Sequence, residues 1–91
     1  MYYPDNLEVM VLNIGEAVKQ RIVDLCEERN ITFNKLATIG GITQSTINNI
    51  VSGRNNSATV STIKKICDGL EITIGEFFSC ELFDNLEQEI K

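Results

Sequence analysis

Residues Leu36–Gly53 read LATIGGITQSTINNIVSG, and this stretch decides the fold. Leu36, Ala37 and Ile39 recur as on one helix face and then stop at Gly40-Gly41. Gly41 can take a positive φ that would strain a residue carrying a side chain, so the chain is expected to bend there. Ile42 follows as an apolar plug, and Thr43 is a good N-cap for the next helix. Ile47 and Ile50 come ten and thirteen residues after Ala37, a spacing that turns them back toward the helix before the bend. Ala37 is small and lets the two helices approach closely. Together these residues predict two short helices with bent axes, a helix-turn-helix.

The opposite face of the second of these helices has uniform chemistry. Gln44, Ser45, Asn48, Asn49 and Ser52 are uncharged hydrogen-bonding residues with Thr46 beside them, and no charge occurs from Gln44 to Gly53. A helix facing only water would normally carry Glu and Lys here. Asn and Gln donate and accept in one plane, which suits paired hydrogen bonds to adenine N6 and N7 in the major groove. The Thr43 cap leaves backbone N–H groups and the positive helix end directed outward, a natural place for phosphate. Arg54 and Asn55-Asn56 follow in a polar loop suited to the neighbouring backbone, and Gly53 stands where helices commonly turn left-handed.

Further helices are expected on both sides. Asn13 caps a first one, with Glu16 placed to complete a capping box and Ala17, Val18, Ile22, Leu25 and Cys26 on one stripe. Thr32 caps the second, ahead of Phe33. Val60, Ile63, Ile66, Cys67 and Leu70 mark a fourth helix, and Thr73 caps a short fifth in which Ile74, Phe77 and Phe78 plug the bundle. The expected fold is an all-α, compact five-helix bundle with an N-terminal arm over residues 1–13, a helix-turn-helix domain over 14–79 and an acidic C-terminal tail or extra helix over 80–91. Val9 to Leu12 alternate as in a short strand or extended arm. Leu82, Phe83, Leu86 and Ile90 fall on one side of an acidic helix, if one forms. Such stripes serve self-association or fold back on the bundle, and the pattern favours neither.

Composition narrows the function. The chain has 91 residues, 43% hydrophobic, which suits one globular domain with a small core. No apolar run approaches a membrane span, and the expected setting is cytoplasmic. There is no His, hence no common general base and no common transition-metal ligand. Cys26, Cys67 and Cys80 are odd in number and lack zinc spacing, and the first two sit at helical core spacing. No enzyme, metal or cofactor is expected. The net charge of −5 conceals an asymmetry: residues 15–66 hold seven bases against four acids, whereas 67–91 hold seven acids and one base. The basic middle permits phosphate contact without demanding it.

The stretches KLATIGGITQSTINNIVSGR and STIKKICDGLEITIGEFF resemble the Cro/repressor-type helix-turn-helix family of Xre-like transcriptional regulators, a lambda-repressor-like fold. The likeness runs from Thr32 to Phe78, with Arg21 to Asn30 as the first helix. It implies that the third helix enters the major groove, with Gln44, Ser45, Asn48 and Asn49 reading bases. It further implies phosphate contacts from Thr43, Arg54, Asn55, Ser52, Asn34 and Lys35. One departure is Phe33, where the family often has a phosphate-binding Gln. An aromatic cannot make that bond, and it either packs on the third helix or covers an apolar spot used by a partner.

The function this implies is sequence-specific binding of double-stranded DNA in transcription regulation, with repression as the default for so short a chain. Related proteins act as homodimers on pseudo-palindromic operators. The alternative keeps the fold and changes the class, to a protein-interaction module such as an antitoxin that engages a protein partner through its arm or acidic tail.

Overall fold

The computed structural model describes residues 12–52 and 58–88. Five α-helices follow one another: α1 (Ile14–Arg29), α2 (Phe33–Gly40), α3 (Gln44–Val51), α4 (Val60–Leu70) and α5 (Ile74–Phe78). A 3-10 turn over Glu81–Phe83 comes last.

The helix starts obey a common rule. Asn13 Oδ1 accepts from the Glu16 N–H at 2.8 Å while Glu16 Oε1 accepts from the Asn13 N–H at 3.0 Å, a complete capping box. Thr32, Thr43, Thr59 and Thr73 cap the other four helices, each accepting from the N–H three residues on. Thr73 forms a second capping box, with Glu76. Each cap satisfies one of the backbone donors that a helix start leaves open.

Three of the ends share a connector. Asn30, Gly41 and Glu71 take left-handed conformations with φ of 59°, 67° and 62°. Each is followed by an isoleucine whose N–H reaches back five residues: Ile31 to Cys26 at 3.0 Å, Ile42 to Ala37 at 2.9 Å and Ile72 to Cys67 at 2.9 Å. These are Schellman motifs, and the isoleucine packs on the core as the motif favours. A capping threonine comes next. Asn30-Ile31-Thr32, Gly41-Ile42-Thr43 and Glu71-Ile72-Thr73 are thus one three-residue device used three times, closing a helix, anchoring the turn and opening the next helix.

Ile22, Leu36, Ile47, Ile66, Cys67 and Phe77 are essentially sequestered at the centre, drawn from all five helices. Burying each large aliphatic or aromatic side chain stabilises the fold by about 1.5–3 kcal/mol, so short helices of low intrinsic propensity hold together by packing. Cys26 and Cys67 are buried thiols of this core, as their spacing predicts. Burial pushes both above the ordinary thiol value.

Backbone meets backbone closely where α4 crosses α2. A Cβ on Gly69 would stand 2.9 Å from the carbonyl of Ile39, so α4 crosses the end of α2 where only glycine fits. Sequence reasoning names Ala37 for a different approach, that of α2 to α3 at the bend, and does not foresee this crossing. Ala37 is buried in the core.

The described part of the C-terminal end is not an α-helix. Cys80 is extended, with φ −158° and ψ 144°, and breaks the helical run. Phe83 joins an aromatic cluster, 4.8 Å from the Phe78 ring and 6.2 Å from that of Phe77. Leu86 then forms a parallel bridge with Leu12, and the Glu87 N–H donates to the Leu12 carbonyl at 2.9 Å. Aromatic packing and main-chain pairing outweigh the helical stripe of Leu82, Phe83 and Leu86. Val9–Val11 and Ile90 lie outside the described residues.

Candidate nucleic-acid interface

The turn into α3 is tightly specified. Gly41 closes α2, Ile42 is half-buried against the core, and Thr43 Oγ1 accepts from the Thr46 N–H at 3.2 Å. The Thr43 and Thr46 hydroxyls also bond to each other at 2.9 Å, which fixes the first turn of α3. Ile47 and Ile50 are buried, so the helix cannot rotate about its axis without exposing them.

That anchoring leaves the predicted face outward. Gln44, Ser45 and Asn48 are exposed, and among the described residues their side chains make no hydrogen bond. Asn49 is half-buried, and Ser52 is exposed with its hydroxyl 3.3 Å from the Asn49 carbonyl. Thr43 is exposed at the N-terminal end of the same helix. Asn34 and Lys35 are exposed in the first turn of α2. Arg54 and Asn55 lie outside the described residues. Phe33 is half-buried, packs on the core and shares a cleft with Val23, Cys26, Glu27 and Ile31.

Electrostatics hold a surprise that charge counting misses. Arg21 donates from Nε to the Phe77 carbonyl at 2.7 Å and from Nη2 to the Glu76 carbonyl at 2.8 Å, with its guanidinium carbon 5.9 Å from the Phe77 ring centroid. Arg29 donates from Nη1 to the Leu70 carbonyl at 2.7 Å. Both arginines of α1 therefore satisfy the C-terminal carbonyls of other helices, α5 and α4, where positive charge is favoured. Lys64 pairs with Asp68 at 2.6 Å, and that carboxylate raises its pKa. The exposed cations of the described residues that make no such bond are Lys35 and Lys65. Basic residues that look available for phosphate in the sequence thus hold the bundle together. The signal for them was a base at the level of a helix end in space, which linear spacing does not carry.

Two short helices around a glycine bend, the second presenting a neutral polar face, form a groove-reading unit. The sequence pattern of the Cro/C1-type HTH DNA-binding domain matches residues 21–82. The chain belongs to that family. This Cro/C1-type domain resembles the HTH-type transcriptional repressor RghR of Bacillus subtilis (strain 168), with 35% identity over 57 residues. The match takes in 63% of this chain and 42% of RghR, so the chain spans less than half the length of that repressor. It is also similar to the crystal structure of the prophage Lp1 protein 11, with a TM-score of 0.72, 34% identity, and coverage of 81% of this chain and 97% of the other. The family match makes the domain that contains α2, the turn and α3 a DNA-binding helix-turn-helix domain. Among the described residues no group of His, Cys, Asp and Glu could hold a metal, and no helix is long and apolar enough to cross a membrane.

Proposed function

We propose that this chain is a sequence-specific repressor of transcription that acts in the cytoplasm as a homodimer on a pseudo-palindromic duplex operator. The observation that carries the reading is the exposed, uncharged row Gln44, Ser45 and Asn48 on a helix locked by Ile47 and Ile50. These side chains, with Asn49, read base edges in the major groove. Thr43, Asn34, Lys35 and Ser52, with Arg54 and Asn55, hold the flanking phosphates. Repression follows from occupancy of a promoter, and the name of the relative RghR supports it.

A domain of this size presents one recognition helix, so a specific site of ordinary length needs two copies with their helices about one turn of DNA apart, about 34–36 Å. Selection of bound duplexes from a random pool tests all of this. An enriched motif with two-fold symmetry is the expected result, and a pool that stays random would refute the reading. The interaction-module alternative draws on the apolar residues of the acidic end. Phe83 and Leu86 are engaged within the molecule itself, by the aromatic cluster and by Leu12, which leaves that alternative the weaker.

A further inference from the structure

We infer that the groove between α1 and the C-terminal 3-10 turn docks a basic segment of another protein, with an apolar side chain set between Lys or Arg residues. This surface goes beyond DNA binding and uses no residue assigned to it above. The groove holds about 620 Å³, within the roughly 300–1,000 Å³ of ordinary binding clefts. Half-buried Leu12, Cys80 and Leu82 supply its apolar lining, and exposed Asp24, Glu81 and Asp84 add three carboxylates.

Two anchors shape this groove. Phe83 packs on the Phe77 and Phe78 rings, and Leu86 bridges to Leu12, with the Glu87 N–H on the Leu12 carbonyl at 2.9 Å. The turn is closed by the Phe83 N–H on the Cys80 carbonyl at 3.0 Å and the Asp84 N–H on that of Glu81 at 3.1 Å. On α1, Gln20 Nε2 donates to one Asp24 oxygen at 2.8 Å, which orients that carboxylate. A surface formed in advance loses little freedom when it is covered.

Charge complementarity selects the occupant. No base lines the groove, and among the described residues its three carboxylates have no ion pair. Arg21 is held on the carbonyls of Glu76 and Phe77. The adjoining residues 1–11 carry Asp5 and Glu8 and no Lys or Arg, so they match the groove poorly. A second copy has a net charge of −5, and in its one run of adjacent bases, Lys64-Lys65, the first is paired with Asp68 at 2.6 Å. Duplex DNA is repelled. A basic segment meets all three carboxylates while its apolar side chain covers Leu12 and Leu82, an apolar anchor inside a polar rim.

The test is selection of short random peptides displayed on phage against the whole chain, run without DNA. A parallel selection uses the triple variant Asp24→Asn, Glu81→Gln, Asp84→Asn, with thermal melts to verify that it folds. The wild-type chain should enrich peptides in which an apolar residue lies between Lys or Arg. A synthetic peptide of the enriched sequence should bind the triple variant about tenfold more weakly, since three surface charge pairs are lost together. Replacing its apolar residue with Ser should weaken binding as well. The peptide should shift amide resonances of Leu12, Asp24 and Cys80 to Asn85 and leave those of α3 unmoved. No enrichment, a consensus without bases, equal binding of the triple variant or of the Ser peptide, or shifts centred on α3 would each overturn the inference. Its failure leaves the DNA-binding reading standing, and a duplex pool that stays random leaves this groove standing.

Discussion

Gly69 and Ile39 meet main chain to main chain: a Cβ on the glycine would stand 2.9 Å from both the carbonyl carbon and the oxygen of the isoleucine, and 3.0 Å from the Gly40 nitrogen. The neighbour is backbone, so it cannot rotate away. In an ordinary helix interior, Gly→Ala stabilises by about 1 kcal/mol. Here overpacking of about 1–3 kcal/mol opposes that gain. Gly69→Ala should therefore lower the melting temperature by several degrees, since 1 kcal/mol is worth about 4–8 °C in a domain of this size. A raised melting temperature would contradict the close approach. The strain falls on the last turn of α2, so amide resonances of Ile39 to Thr43 should shift, which couples this contact to the start of the recognition helix.

Glu71 offers the opposite test. It is a non-glycine residue at φ 62°, exposed, with the Schellman bonds around it intact. A left-handed conformation costs an L-residue about 1–2 kcal/mol. Glu71→Gly should stabilise by roughly 0.5–1 kcal/mol, since glycine's greater freedom when unfolded offsets part of the relief. Gly41→Ala should destabilise by about 1 kcal/mol, because its φ is 67° even though open space surrounds the new methyl. Urea denaturation of the two variants measures both signs.

The contrast between these sites shows what the sequence makes legible. Helix starts are local chemistry: a side-chain oxygen reaches an N–H three residues away, so Asn13, Thr32, Thr43 and Thr73 could be assigned on sight. The outward face of α3 was legible too, because Ile47 and Ile50 fix its orientation. Glu71 was not, since nothing in a glutamate announces a positive φ. Only the recurrence of left-handed residue, Ile and Thr at three turns signals it. Arg21, Arg29 and Gly69 were hidden for a different reason. Their partners lie 56, 41 and 30 residues away in sequence, at Phe77, Leu70 and Ile39. The C-terminal end stayed open between tail and extra helix in the sequence, because its helical stripe competes with aromatic packing on Phe77 and Phe78.

Arg21 distinguishes an internal role from a DNA contact. Removing it leaves the α5 carbonyls of Glu76 and Phe77 without their guanidinium. Charged hydrogen bonds of this kind are worth about 1.5–3 kcal/mol when buried, and this one is partly exposed. Arg21→Met should cost about 1–2 kcal/mol, keeping the stem's packing while losing the fork. Arg21→Lys should recover only part, because an ammonium cannot reproduce the planar pair of donors. Chemical denaturation gives the stability change, and the salt slope of DNA binding should stay as in the wild type.

Alkaline pH should weaken the fold. Cys26 and Cys67 are raised from 9.0 by burial, so above that value the unfolded chain releases protons that the folded chain retains. Stability then falls as pH rises through the unfolded thiol value, and only well below it do these two thiols contribute no slope. Urea midpoints measured from pH 7.5 to 10 should decline above 9. Cys26→Ala combined with Cys67→Ala should start lower, through lost packing, and should remove the part of that slope these thiols cause. Alkylation in the native state should reach half-buried Cys80 first.

The last expectation concerns how strongly salt opposes DNA binding. Each phosphate neutralised contributes about −0.9 to the slope of log affinity against log salt. Lys35 is exposed on α2 and carries no ion pair among the described residues. Lys64 holds Asp68 at 2.6 Å, and that carboxylate already serves as its counterion. A lysine so paired releases fewer salt ions when it meets a phosphate, because its own partner must first be displaced. Lys35→Ala should therefore make the slope shallower by about one and weaken all duplexes alike. Lys64→Ala should change it far less. Anisotropy titrations of a labelled duplex between 50 and 300 mM salt, roughly the range in which such slopes are read, separate the two. Equal changes in slope would mean that the Lys64–Asp68 pair opens on DNA.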